Sequence, residues 1–223
     1  THYPVWGHLV AGIGSFLPAE FAGPGTRMID AIIPLGLLGL ALIAAARRGW
    51  LVAGAVLLCA TPPVWFIIAV VNPSHYVITG GIAVWIALSG FRRRTTGQVV
   101  GSPLTRLDSL LLGAGWAAMV LPRRDGLLYA SLVLALAILI FGIPTRDVAQ
   151  LPRWVRATMA LATLATLGWA ADSSSDSSPL LFASVLLPFV AVGTRRLWRR
   201  FARPRQRGAL VAGLTAAAGV VSF

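Results

Sequence analysis

Residues Thr61 to Trp85 read TPPVWFIIAVVNPSHYVITGGIAVW, two apolar runs that meet at the corner Asn72-Pro73-Ser74-His75. No formal charge occurs between Arg48 and Arg92. At about 1.5 Å per helical residue, that stretch is long enough to cross a hydrocarbon layer of ~30 Å twice. The corner is too tight for anything but an antiparallel pair, so the stretch predicts a helical hairpin in a membrane.

The rest of the chain agrees. Of 223 residues, 57% are hydrophobic and only 12% charged, against about a quarter charged in ordinary soluble domains. Mean hydropathy is +0.79. The net charge of +12 could suggest nucleic acid, but the basic residues, all nineteen of them arginine, fall in short clusters between apolar runs. Membrane topology requires that pattern, and a nucleic-acid patch does not, so nucleic acid is excluded as a partner and the lipid bilayer is expected. Cys59 is the only cysteine, which rules out an intrachain disulfide and a cysteine metal cluster.

Working outward, the predicted organisation is a single membrane domain. Residues 1–25 form an outer-face interfacial helix, Tyr3 to Leu17, and a turn-rich loop, Pro18 to Thr26. Residues 26–193 hold the transmembrane helices, starting with Thr26 as N-cap and running through Pro34 to Ala46. A third apolar run covers Trp50 to Val71, interrupted at Pro62-Pro63, and a fourth Ser74 to Phe91. Leu107 to Leu121 and Leu127 to Ile143 form a second tight pair, followed by Trp154 to Ala171 and a short helix, Leu180 to Gly193. Residues 194–207 read as a basic cytoplasmic loop and 208–223 as a partial last helix. The fold class is all-α: a polytopic transmembrane bundle of about seven crossings. The missing start methionine and the abrupt apolar end suggest a piece of a longer protein.

Charge tests this layout, because arginine concentrates on the cytoplasmic side of a membrane protein. With Arg47-Arg48 inside, sixteen of the nineteen arginines fall on inner loops. The outer side keeps Arg27, Arg123 and Arg124 together with Glu20, Asp30, Asp125, Asp172 and Asp176, five of the seven acids.

Chemistry is sparser. No nucleophile triad, phosphate loop, dinucleotide fingerprint or paired-histidine metal motif is present. His2, His8 and His75 all fall on the outer side without ligand-like spacing, so no metal and no cofactor are expected. Every acid reads as lying in a loop or within a turn of a helix end, which argues against a proton-coupled transporter. Arg27 and Asp30 share a helix face and can form a local ion pair. Alternatively Arg27, Arg123 and Arg124 form an outer anion site for a lipid phosphate, whose oxygens suit the guanidinium fork, or they simply anchor headgroups. Trp65, Trp85 and Trp116 lie deep in apolar runs and are expected to face other helices, where the indole N–H finds a partner.

Two segments carry a family resemblance. HYPVWGHL (His2 to Leu9), a Gly/Pro-rich loop and then Thr26-Arg27-Met28-Ile29-Asp30 opening a helix resemble the region after the first outer loop of GT-C-type polyprenyl-phosphate-sugar glycosyltransferases. The corner Val71-Asn72-Pro73-Ser74 leading to GGIAVW (Gly80 to Trp85) is similar to a family of bacterial, often actinobacterial, polytopic membrane proteins related to that superfamily. The likeness covers roughly residues 1 to 145. It implies a GT-C-like bundle in the bacterial plasma membrane, with its arginine-rich loops cytoplasmic. It also implies a polyprenyl-phosphate-linked sugar as partner and a role in cell-envelope glycan assembly. In that family a first-outer-loop acid is the general base; here such a loop would precede Thr1, and Glu20 and Asp30 are only the nearest substitutes. The resemblance therefore implies a glycosyltransferase or its membrane scaffold, with Asn72, Ser74 and His75 forming one wall of a cleft. The competing expectation is a non-enzymatic membrane protein, such as a lipid-linked-glycan translocator or a structural subunit.

Overall fold

A computed structural model describes residues 12–13, 16–59, 61–69, 73–90, 104–123, 125–143, 151–172 and 178–201. All regular structure among the described residues is helical. The main helices are α1 (Ala19–Ala46), α2 (Trp50–Cys59), α3 (Pro62–Ala69), α4 (Ser74–Ser89), α5 (Arg106–Val120), α6 (Gly126–Phe141), α7 (Arg153–Asp172), α8 (Ser178–Ser184) and α9 (Leu187–Phe201). Most of the expected interfacial helix, Asn72, Arg92 to Arg94, Arg124 and the final apolar run lie outside the described residues.

The antiparallel α4–α5 pair is the centre of the bundle, with α1 and α6 against α4, α7 against α5, and α9 against α6. Small residues make the central contact possible. A methyl group added at Gly80 would sit 2.6 Å from the carbonyl oxygen of Gly115, and one added at Gly115 would sit 2.9 Å from that of Gly80. The two backbones therefore touch, a close approach that only residues this small permit. Ala83, Val84, Trp116 and Met119 close the core around this contact.

Four boundaries differ from the sequence expectation. The stretch read as a loop at Pro18 to Thr26 is the first part of α1, a helix of 28 residues that carries Pro24 and Pro34 within it. Thr26 is not an N-cap; its hydroxyl donates back to Ala22 O at 2.7 Å, so Gly23, Pro24 and Gly25 are absorbed rather than breaking the helix. The third apolar run is two helices, α2 ending at Cys59 and α3 starting with the Pro62-Pro63 pair as its first residues. At the other end of the chain, the Leu180 to Gly193 run breaks at residues 185–186, and Pro188 falls in the first turn of α9, where a missing N–H costs no helical bond. The basic stretch after Gly193 is helical as far as Phe201, since arginine is a good helix former and Ala191 and Arg195 pack toward α6.

Two stretches, Ala19–Ala46 and Leu181–Trp198, are long and apolar enough to cross a membrane; α2, α4 and α6 are apolar but shorter. The outer surface is strongly apolar. Leu58 is 77% exposed, Phe189 70% and Leu161 67%, with Ile32, Leu51, Leu57, Leu164 and Val190 similarly uncovered.

Candidate functional site

The buried side of α1 is one stripe: Asp30, Pro34, Leu37, Leu38, Ala41, Ala44 and Ala45. These recur at helical spacing and face the core. Asp30 therefore heads an otherwise apolar stripe, eleven residues into the helix and only 2% exposed. The ion pair with Arg27 is not formed: Arg27 is exposed, and the acid turns inward to α4.

Its partners come from the corner that dominates the sequence. Pro73 sits at the head of α4, so His75 and Tyr76 fall in its first turn, and both are buried. Tyr76 donates its hydroxyl to Asp30 Oδ1 at 2.7 Å and lies 3.3 Å from the Asp30 carbonyl oxygen. The second contact has a cause four residues on. Pro34 has no N–H to give the carbonyl at position 30, and the Tyr76 hydroxyl is there instead.

His75 completes the cluster. Its Nε2 lies 3.3 Å from Asp30 Oδ2 and its Nδ1 3.3 Å from the carbonyl oxygen of Ile67 on α3. The two rings lie against each other, with centroids 4.3 Å apart. A carbonyl only accepts, so Nδ1 carries a hydrogen. The Asp30 carboxyl is thus met by two polar rings of α4, so it does not face the apolar interior alone.

One residue before His75, Ser74 accepts a hydrogen bond from Arg123 Nη1. Arg123 also holds Asp125 through two bonds, Nε to Oδ1 at 2.8 Å and Nη2 to Oδ2 at 2.7 Å. Its side chain is 29% exposed. The structure thus brings Asp30, Ser74, His75, Tyr76 and Arg123 to one end of the bundle. Arg27 lies one turn nearer that end of α1 than Asp30. Arg124 and Asn72 lie outside the described residues. Of the expected cleft wall, Ser74 is half-buried against Arg123, whereas His75 is fully buried between α1, α3 and α4. Among the described residues no three His, Cys, Asp or Glu side chains gather as metal ligands would.

A second polar layer closes the opposite end. Arg48, just past α1, reaches Asp108 in the first turn of α5 at 2.5 Å, and also bonds Ser89 Oγ and the Ile86 carbonyl near the end of α4. Asp108 forms a capping box with Thr105. Nearby in sequence to neither, Arg195 of α9 donates to the Ile138 and Leu139 carbonyls at the end of α6. That end needs Gly142 in the left-handed conformation (φ 71°), where a β-carbon would strike the Arg195 guanidinium.

Of the three deep tryptophans, Trp116 donates its indole N–H to Thr163 Oγ1 at 3.2 Å, bridging α5 to α7. Trp85 packs on Phe141 with ring centroids 5.0 Å apart. Trp65 instead is 47% exposed. Comparison with protein-family models, curated proteins and solved structures returned no match.

Proposed function

We propose that the chain is a polytopic membrane bundle that serves as the membrane scaffold of a GT-C-like glycosyltransferase. In this reading it engages a polyprenyl-phosphate-linked sugar at the His75 end, in cell-envelope glycan assembly. The observation that carries the membrane part is the pair of polar layers. Asp30 and Arg48 lie eighteen residues apart along α1 and its end, about 27 Å of helix, close to a hydrocarbon thickness of ~30 Å. Much of the exposed apolar surface belongs to the helical stretches between those layers. In water it would be an aggregation liability; against lipid it is the expected covering. The crossings are then α1, α2 with α3, α4, α5, α6, α7, and α8 with α9, with the arginine-rich Arg48 end cytoplasmic.

For the ligand, the supporting residues are Arg27, exposed, and Arg123, part-exposed beside Ser74. A donor phosphate at Arg123 would exchange with Asp125, replacing one bidentate oxyanion by another. Asp30 does not suit the part of general base in this reading. It is closed to solvent and committed to His75 and Tyr76, so the proton-accepting carboxylate is supplied from outside the described residues.

A second reading, the lipid-linked-glycan translocator, is favoured by one specific observation. Asp30 and His75 meet at 3.3 Å and are both buried within the bundle, and ionisable groups inside a membrane bundle commonly mark a proton or substrate pathway.

The test uses the full-length protein in membranes with labelled polyprenyl-phosphate sugar, wild type against Arg27→Ala and Arg123→Ala. Donor binding is expected to weaken in both; unchanged binding in both sinks the phosphate site. Asp30→Asn then separates the two readings. Lost vesicle transport with binding retained favours the translocator, whereas retained binding with only lowered stability favours the scaffold.

A further inference from the structure

Between α4, α5, α6, α7 and α9, at the Arg48 end of the bundle, lies a cavity of about 460 Å³. Its volume falls in the ligand-pocket range of roughly 300–1,000 Å³. Its walls are apolar, including Leu112, Leu134, Ile138 and Met159, with Phe189 and Val192 from α9; among the described residues Arg196 is the only charged one on the lining. Adjacent arginines divide the work. Arg195 is drawn inward to cap the carbonyls ending α6, whereas Arg196 is exposed and forms no ion pair with an acid among the described residues.

We infer that this cavity holds an acyl chain of an anionic phospholipid from the surrounding leaflet, with the lipid phosphate on Arg196. Charge decides the occupant. A neutral apolar ligand would leave Arg196 unused, while the stretch Arg195 to Arg207 carries seven arginines. Basic clusters immediately cytoplasmic of a membrane helix, and basic pockets between such helices, select anionic headgroups. The guanidinium fork matches two phosphate oxygens, and the apolar walls receive the chain. The inference rests on the membrane reading above, but not on any sugar ligand.

One wall position gives a clean test. Gly193 lines the cavity, and a β-carbon built there meets nothing within 4 Å. Gly193→Leu therefore adds bulk at the cavity lining without a clash and raises helix propensity in α9. The protein is reconstituted into nanodiscs of phosphatidylcholine alone or mixed with phosphatidylglycerol, extracted in mild detergent, and the retained lipid weighed by native mass spectrometry. Wild type is expected to retain phosphatidylglycerol selectively. Arg196→Gln should lower that selectivity about fivefold, the worth of one arginine at an anionic surface. Gly193→Leu should abolish retention. Equal retention of both lipids by wild type, or unchanged retention in Gly193→Leu, overturns the proposal. A protein that leaves membranes on alkaline washing without detergent would instead sink the membrane reading itself.

Discussion

Cutting the Arg48–Asp108 contact should cost far more than losing a helix cap, although Asp108 does both jobs. Its Oδ1 lies 2.5 Å from Arg48 Nη2, with the two side chains 9% and 17% exposed. Its Oδ2 is 3.3 Å from the Thr105 amide, whose side chain in turn accepts from the Asp108 amide at 3.1 Å. Removing one partner of a buried ion pair leaves an uncompensated charge at about 3–5 kcal/mol. Partial exposure and the remaining bonds of Arg48 to Ser89 and Ile86 put the present case at the lower end. A lost cap costs about 1 kcal/mol. Asp108→Ala should therefore destabilise by about 3–4 kcal/mol, the sum of the two effects. Thr105→Ala should lose only ~1 kcal/mol. Arg48→Met combined with Asp108→Leu should be milder than Asp108→Ala, because no charge is stranded. Unfolding of detergent-solubilised protein by added dodecyl sulfate, followed by circular dichroism, gives all three. If Asp108→Ala costs no more than Thr105→Ala, or the Arg48/Asp108 double-mutant cycle shows coupling within about 0.5 kcal/mol of zero, the pair is not holding α1, α4 and α5 together.

Other expectations follow from single contacts. Gly80→Ala and Gly115→Ala should each cost about 1–3 kcal/mol, since the new methyl meets a backbone oxygen that cannot rotate away; wild-type stability in both would mean the α4–α5 backbones do not touch. Tyr76→Phe removes the hydroxyl bond to Asp30 and should cost about 1–3 kcal/mol in the same unfolding assay; wild-type stability would mean that this bond does not hold α1 to α4. Trp116→Phe removes the bond to Thr163 and should cost about 1 kcal/mol or more; pairing it with Thr163→Val in a cycle checks that the two act together. Cys59, exposed on α2 and the only cysteine, should resist a water-soluble maleimide in intact membranes and react once the protein is unfolded. Rapid labelling in the membrane would contradict the seven-crossing reading.

The helices were largely legible because apolar runs and arginine clusters are local signals. What failed was local too, in the opposite sense. Gly23, Pro24 and Gly25 are strong breakers in water, and reading them as a loop put Asp30 near a helix start. In the structure it is three turns inside α1. Two signals could have found it: its register with Leu37, Leu38, Ala41 and Ala45, and Pro34 four residues on, which leaves the position-30 carbonyl wanting a donor. His75 was legible as part of the corner, but its acid lies forty-five residues earlier. Likewise Arg48 and Asp108 are sixty residues apart. Such pairings belong to helix packing, which a single sequence does not encode locally. Of the expected phosphate arginines, Arg123 combines both kinds of partner: Asp125, two residues away, and Ser74, forty-nine residues away, which only helix packing brings to it.

The backbone contact at Gly80 and Gly115 has a mechanical consequence. Ala83, Val84 and Met119 interlock around the two glycines, so sliding α4 along α5 would drive side chains into backbone, and the pair moves as a unit. The division between α2 and α3 and the turn at residues 185–186 lie outside this pair. Relative movement of the helices would then be taken up between α2 and α3 or between α8 and α9 sooner than at the α4–α5 contact.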